Sequence, residues 1–170
     1  MDLSGYKLEA LHKDGELILY RGAHPRPADG APSSVLVVGP AGEYASPATL
    51  ARLEHEYSLA GELDPRWAVR PVALVRQHGH TMLVLDDPGG QPLDRQLGTP
   101  MEMGTFLRLA IGLAGAVASL HRAGLIHKDI KPKSVLAAST GEVRGPGMKR
   151  MCCGEAGSVT SRTDQPLCQR

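Results

Sequence analysis

Leu125-Ile126-His127-Lys128-Asp129-Ile130-Lys131-Pro132-Lys133-Ser134-Val135-Leu136 is the stretch on which the reading of this chain turns: His, Lys, Asp and Ser set between two apolar pairs. Just before it, from about Met103 to Arg122, Phe106, Leu109, Ala110, Leu113, Val117 and Leu120 form one helical stripe, and Leu107, Ile111 and Ala114 widen it. A helix apolar over so much of its girth is expected to be central and buried. Gly112 and Gly115 each cost it about 1 kcal/mol relative to alanine.

Further toward the N-terminus, Asp86-Asp87-Pro88-Gly89-Gly90 breaks all regular structure. Val72-Ala73-Leu74-Val75 and Thr81-Met82-Leu83-Val84-Leu85, joined through Gln77-His78-Gly79-His80, read as a hairpin. Ser46-Pro47 starts a helix, with Ser as N-cap and Pro at the first helical position. It runs to about Leu63, and Leu50, Leu53, Tyr57 and Ala60 are expected to face inward. Glu16 to Arg21, following the Asp14-Gly15 turn, and Ser34 to Val38, ended by Gly39-Pro40, read as strands; the proline-rich His24 to Pro32 between them is a loop.

In the other direction the composition changes at a point. All six aromatic residues lie in the first 106 positions, whereas Gly145 to Arg170 holds only Met148, Met151, Val159 and Leu167 as large apolar side chains, without a period of 2 or 3.6. Such a segment cannot offset a backbone ordering cost of about 1–2 kcal/mol per residue, so it reads as a disordered tail.

A length of 170 residues suits one domain. Lys+Arg 19 against Asp+Glu 18 leaves a formal charge of +1, so no global field draws the chain to nucleic acid. The charge-free stretch Leu109 to Leu120 is shorter than the ~20 residues of a membrane span, and Met1-Asp2-Leu3-Ser4-Gly5 does not read as a secretory signal. Cytoplasmic residence is therefore expected. Cys152, Cys153 and Cys168 lack both paired spacing and a nearby His, which argues against a disulfide framework and a zinc site.

The quoted stretch resembles the catalytic loop of the protein kinases, whose pattern is H-R-D-L-K-P-x-N followed by two apolar residues. The lead-in Ser119-Leu120-His121-Arg122-Ala123-Gly124 resembles the family too, and the likeness covers roughly residues 6 to 144. More narrowly, His-Lys-Asp-Ile-Lys-Pro and Leu53-Glu54-His55-Glu56-Tyr57 resemble the kinase-like domain at the N-terminus of large bacterial multidomain sensor histidine kinases. The resemblance implies an α+β, protein-kinase-like fold over residues 1–144: a β-rich N-lobe (about 6–87), a hinge (about 86–90) and the beginning of a helical C-lobe (about 91–144), followed by the disordered tail (145–170). It also implies ATP and Mg as cofactors, phosphoryl transfer to a protein hydroxyl, and a protein substrate or signalling partner.

Residue by residue, Asp129 matches the Asp that accepts or orients the substrate hydroxyl proton, and Lys131 matches the Lys beside the transferring phosphoryl group. His127 matches a structural histidine. Glu56 matches the helix carboxylate that pairs with a strand lysine; with Glu54 and Glu62 on the same helix, a solvated face is the alternative. Leu85 falls at the gatekeeper position and Asp86, Asp87 and Pro88 at the hinge whose backbone binds adenine, with core-strand and turn readings left open. Ser134 stands where an Asn would hold magnesium, as a shorter, neutral metal ligand.

The departures weigh against activity. The strand lysine of V-A-I-K is replaced by Val38, the segment Lys13 to Leu19 has one glycine where three are expected, and no D-F-G follows the loop. The remaining aspartate, Asp164, sits in Thr163-Asp164-Gln165-Pro166. Too few residues follow Asp129 for a complete large lobe, and the kinase wording ends at Arg144 as though the reading frame had changed. The resemblance, so qualified, implies a truncated or frame-disrupted member with doubtful ATP binding. Two functions from different classes stay open: a Ser/Thr-type kinase using Mg-ATP, and a non-catalytic pseudokinase or interaction module, or the remnant of a larger bacterial signalling protein.

Overall fold

The computed structural model describes residues 1–27, 30–42, 45–127, 129–138, 143–144 and 151–153. Its elements are β1 (Lys7–Asp14), β2 (Leu17–Ala23), β3 (Ser34–Pro40), α1 (Pro47–Ser58), β4 (Pro71–Gln77), β5 (His80–Asp86), β6 (Gln91–Pro92), α2 (Met103–Arg122), β7 (Leu125–His127), β8 (Leu136–Ala137), β9 (Val143–Arg144) and β10 (Met151–Cys153). Short 3-10 turns cover Leu59–Gly61, Leu93–Gln96 and Pro132–Ser134. The fold is α+β, built on a five-stranded antiparallel sheet in the order β1-β2-β3-β5-β4.

Turn chemistry explains the hairpins. Gly15, at φ +61°, opens the two-residue β1–β2 turn, the position that a type II′ turn reserves for glycine. His78 and Gly79 both have positive φ, as a type I′ turn requires, and they join β4 to β5.

β3 is buried on both faces, which is why it reads as a continuous Val35-Leu36-Val37-Val38 run instead of alternating. Leu36 and Val38 meet Leu53 of α1 and Leu83 and Leu85 of β5; Val35 and Val37 meet Leu3, Tyr6 and Val84 on the opposite side. The N-terminal residues thus cover the outer layer, and the Tyr6 hydroxyl donates to the Pro32 carbonyl at 2.7 Å.

The inward face of α1 differs from the expected one. Thr49, Leu53 and Glu56 are buried, while Tyr57 is 40% exposed, so the helix is rotated about its axis toward the sheet. The α-helix ends at Ser58 rather than near Leu63 because it tightens into the 3-10 turn Leu59–Gly61, a common form of helix ending.

α2 has the expected bounds but is not the central, buried helix expected. Leu109, Ala116 and Leu120 are buried, whereas Met103, Phe106, Leu107 and Ile111 are about half exposed or more. The cause is one-sided packing. Leu109 meets Val135, Ala137 and Val143, and Leu120 meets Leu59, Leu63 and Leu125; no described residue covers the other side. By length and composition α2, longer than the Leu109–Leu120 stretch, is sufficient to cross a membrane, a test that core helices of soluble proteins also pass.

Beyond Arg144, where a disordered tail was expected, Met151–Cys153 forms a strand antiparallel to β7, with Cys152 opposite Ile126. Backbone pairing supplies the order there that the side-chain pattern does not announce. The rest of 145–170, including Asp164 and Cys168, lies outside the described residues.

Candidate functional site

The loop after β7 is tied to itself. The Asp129 backbone N–H donates to His127 Nδ1 at 3.1 Å, which assigns the neutral ring's proton to Nε2. Ser134 Oγ donates to the Lys131 carbonyl at 2.8 Å and accepts the Lys131 N–H at 3.3 Å, so the 3-10 turn Pro132–Ser134 holds Lys131 in extended backbone. This arrangement brings Lys131 Nζ to 2.9 Å from Asp129 Oδ2. The two loop residues singled out for chemistry therefore form an ion pair.

A third partner comes from the sheet, 119 residues before Lys133. Asp14, at the tip of the β1–β2 hairpin, lies 2.8 Å from Lys133 Nζ through Oδ1 and 3.0 Å from Lys131 Nζ through Oδ2. Sequence reasoning missed Asp14 as a site residue. The available signal was an acid where the family pattern calls for glycines. The next carboxylate, Glu16, turns the other way: it accepts hydrogen bonds from Thr49 Oγ1 and from Ser46 Oγ, and these hold its carboxyl below the usual glutamate range. One hairpin tip is thus pinned to the loop by Asp14 and to the start of α1 by Glu16.

Behind the tip, Val38, Glu56, Asp14 and Ser134 line one cavity of about 10 Å³. Glu56 is buried, unlike the exposed Glu54 and Glu62, so it does not belong to a solvated face. The structure brings Glu56, Ser134 and Val38 together beside the Asp129–Lys131 pair. Leu85 and Asp87 are elsewhere. Leu85 is fully buried opposite Leu36, a core-strand position. Asp87 accepts two bonds from Arg21, at 2.8 and 3.1 Å, and others from Ser34 Oγ and the Gly89 N–H, so its side chain locks the chain as it leaves the sheet.

These residues do not fit Mg-ATP. A cavity of about 10 Å³ holds at most one water. Leu11 and Leu19 pack in one cluster with Leu136, filling the space between sheet and loop with the chain's own side chains. The Leu11 carbonyl, at a bulge in β1, accepts Arg95 Nη2 at 2.9 Å and fastens that strand down. Val38 offers no cation to Glu56, and the Ser134 hydroxyl is engaged by backbone. A wider concavity of about 950 Å³, along the outer side of α2, contains none of these residues.

The chain is similar to Ser/Thr protein kinases. It is 28% identical over 114 residues to the serine/threonine-protein kinase PknL of Mycobacterium tuberculosis (strain CDC 1551 / Oshkosh), covering 66% of this chain and 29% of that relative. It is 29% identical over 97 residues to the serine/threonine-protein kinase LATS1 of Homo sapiens, covering 56% of this chain and 9% of that relative. The chain therefore spans less than a third of the length of either. No family model matches it. These partial likenesses support a kinase-like family.

Proposed function

We propose that this chain is a Ser/Thr protein-kinase-like domain that does not transfer phosphoryl groups in this form and acts instead as a non-catalytic module toward a protein signalling partner in the cytoplasm. The narrower kinship is with the kinase-like domain of bacterial multidomain sensor histidine kinases. The observation that carries the reading is the shared cavity of Val38 and Glu56: an apolar side chain stands where the helix carboxylate would meet a phosphate-holding lysine, and the space is too small for a nucleotide.

Mg-ATP is expected to leave the melting temperature unchanged. A nucleotide-dependent rise abolished by Asp129→Ala or Ser134→Ala would overturn the proposal. The second reading, a working kinase, is favoured by the Asp129–Lys131 pair at 2.9 Å. Transfer of labelled phosphate from ATP to a generic hydroxyl substrate, lost in Asp129→Ala, decides for it. The end of kinase wording after Arg144 is read as a disrupted frame. Resequencing that finds a D-F-G-like tripeptide in a neighbouring frame supports this, and an intact frame removes it.

A further inference from the structure

We infer that Asp14 is an internal anion that keeps the cleft shut, its carboxylate occupying the two ammonium groups, Lys131 and Lys133, that a polyphosphate-class anion would otherwise take. The inference deepens the proposed reading and rests on it. Lys131 and Lys133 come from one 3-10 turn and the residue before it, which directs both side chains at one point, and each nitrogen lies within 3.0 Å of a different Asp14 oxygen. The Asp14 side chain is only 17% exposed and the lysines about 30%, so solvent and salt screen these pairs less than surface pairs.

The charges explain why an anion is refused. Lys131 and Lys133 face Asp14 and Asp129, with Glu56 lining the cavity behind. Among these described groups two ammonium charges meet three carboxylates, which leaves no net positive charge for an anion. Neutralising Asp14 leaves two ammonium groups with Asp129 as their nearest competitor, and ammonium groups are good point-charge partners for phosphate oxygens. The hairpin tip stays in place through Glu16, which Ser46 and Thr49 hold independently, so Asp14→Asn removes the charge without removing the strap.

The test titrates the full chain with inorganic tripolyphosphate at low salt. Asp14→Asn is expected to bind about tenfold tighter than the unaltered chain, and adding Lys131→Gln and Lys133→Gln is expected to cancel the gain. Glu62→Gln, which removes an exposed carboxylate elsewhere, is expected to change nothing. Equal affinity of Asp14→Asn and the unaltered chain, or a gain that survives loss of both lysines, overturns the inference. Should Asp14→Asn fail to fold, amide hydrogen exchange over residues 12–16 of the unaltered chain replaces it: tripolyphosphate that competes for the lysines must speed that exchange, and unchanged exchange at saturating anion refutes the competition. Tripolyphosphate carries neither base nor sugar, so this outcome is independent of the nucleotide experiment that tests the kinase-like reading.

Discussion

Asp87 holds the Arg21 guanidinium at 2.8 Å across 66 residues of sequence, with only 3% of the aspartate side chain exposed. The pair joins β2 to the segment leaving β5, and Ser34 of β3 adds a hydroxyl to the same carboxylate. A charge so far withdrawn from water is stable only while its partners remain. Removing one partner of a buried pair costs about 3–5 kcal/mol, and the 20% exposure of Arg21 reduces this. Asp87→Ala is therefore expected to lower stability by about 2–4 kcal/mol in urea denaturation. A loss below about 1 kcal/mol would show that the pair contributes no more than a surface contact.

Gly90 and Gly89 separate backbone strain from steric conflict. Both have positive φ, +75° and +77°, but a Cβ on Gly90 would lie 2.7 Å from the Ala137 carbonyl oxygen while one on Gly89 would meet open space. Gly89→Ala is expected to cost about 1–2 kcal/mol from backbone conformation alone. Gly90→Ala should cost clearly more, because β6 must move away from β8 to admit the methyl group. Equal midpoints in denaturant would contradict the close approach.

Glu102 makes stability depend on pH through the start of α2. Its carboxylate accepts the Gly104 and Thr105 N–H groups, both at 2.7 Å, and these bonds, that to Gly104 foremost, hold the carboxyl below the usual glutamate range. A depressed folded-state value means that the contribution is complete above the ordinary value of about 4.5 and is lost as pH falls through the folded value. Thermal melts should show Glu102→Gln below the unaltered chain at pH 7, with the gap closing as the pH falls below the ordinary value and through the folded one. A gap that widens on acidification would reverse the sign and exclude the cap as its source.

The two sides of α2 should respond differently to substitution. Leu120 is 4% exposed among Leu59, Leu63 and Leu125, and Leu120→Ala is expected to cost about 2–4 kcal/mol. Ile111, 70% exposed, should accept Ile111→Gln within about 0.5 kcal/mol. Strong destabilisation by Ile111→Gln would mean that this side of the helix is covered in solution.

Much of the local structure was legible in the sequence because its causes are local. The bounds of α2 follow from apolar residues at helical spacing, the β4–β5 hairpin from His78-Gly79, and the start of α1 from Ser46-Pro47, whose Oγ accepts the Thr49 N–H at 3.2 Å. The loop from His127 to Ser134 was legible from its wording, and it does bring Asp129 and Lys131 together. β1 is not legible as a strand, since Lys7–Asp14 lacks a clean alternation and bulges at Leu11.

Only the tertiary structure decided which apolar positions are inside and which acids meet which bases. The buried face of α1 runs through Thr49 and Glu56 instead of Tyr57 because the inner side of β3 and β5 sets its rotation, and no periodicity within the helix specifies that neighbour. Ile111 and Phe106 carry the same hydrophobic signal as Leu109 and Leu120, yet among the described residues packing reaches only one side of the helix. The site shows the same division. The sequence by itself supplied Lys131, Asp129, Ser134 and Glu56, whereas Lys133 and Asp14 join them through pairs that close a loop of more than a hundred residues. Coulomb attraction acts through space with no regard to order along the chain, so such a pair exists only once the sheet has delivered the hairpin tip to the loop.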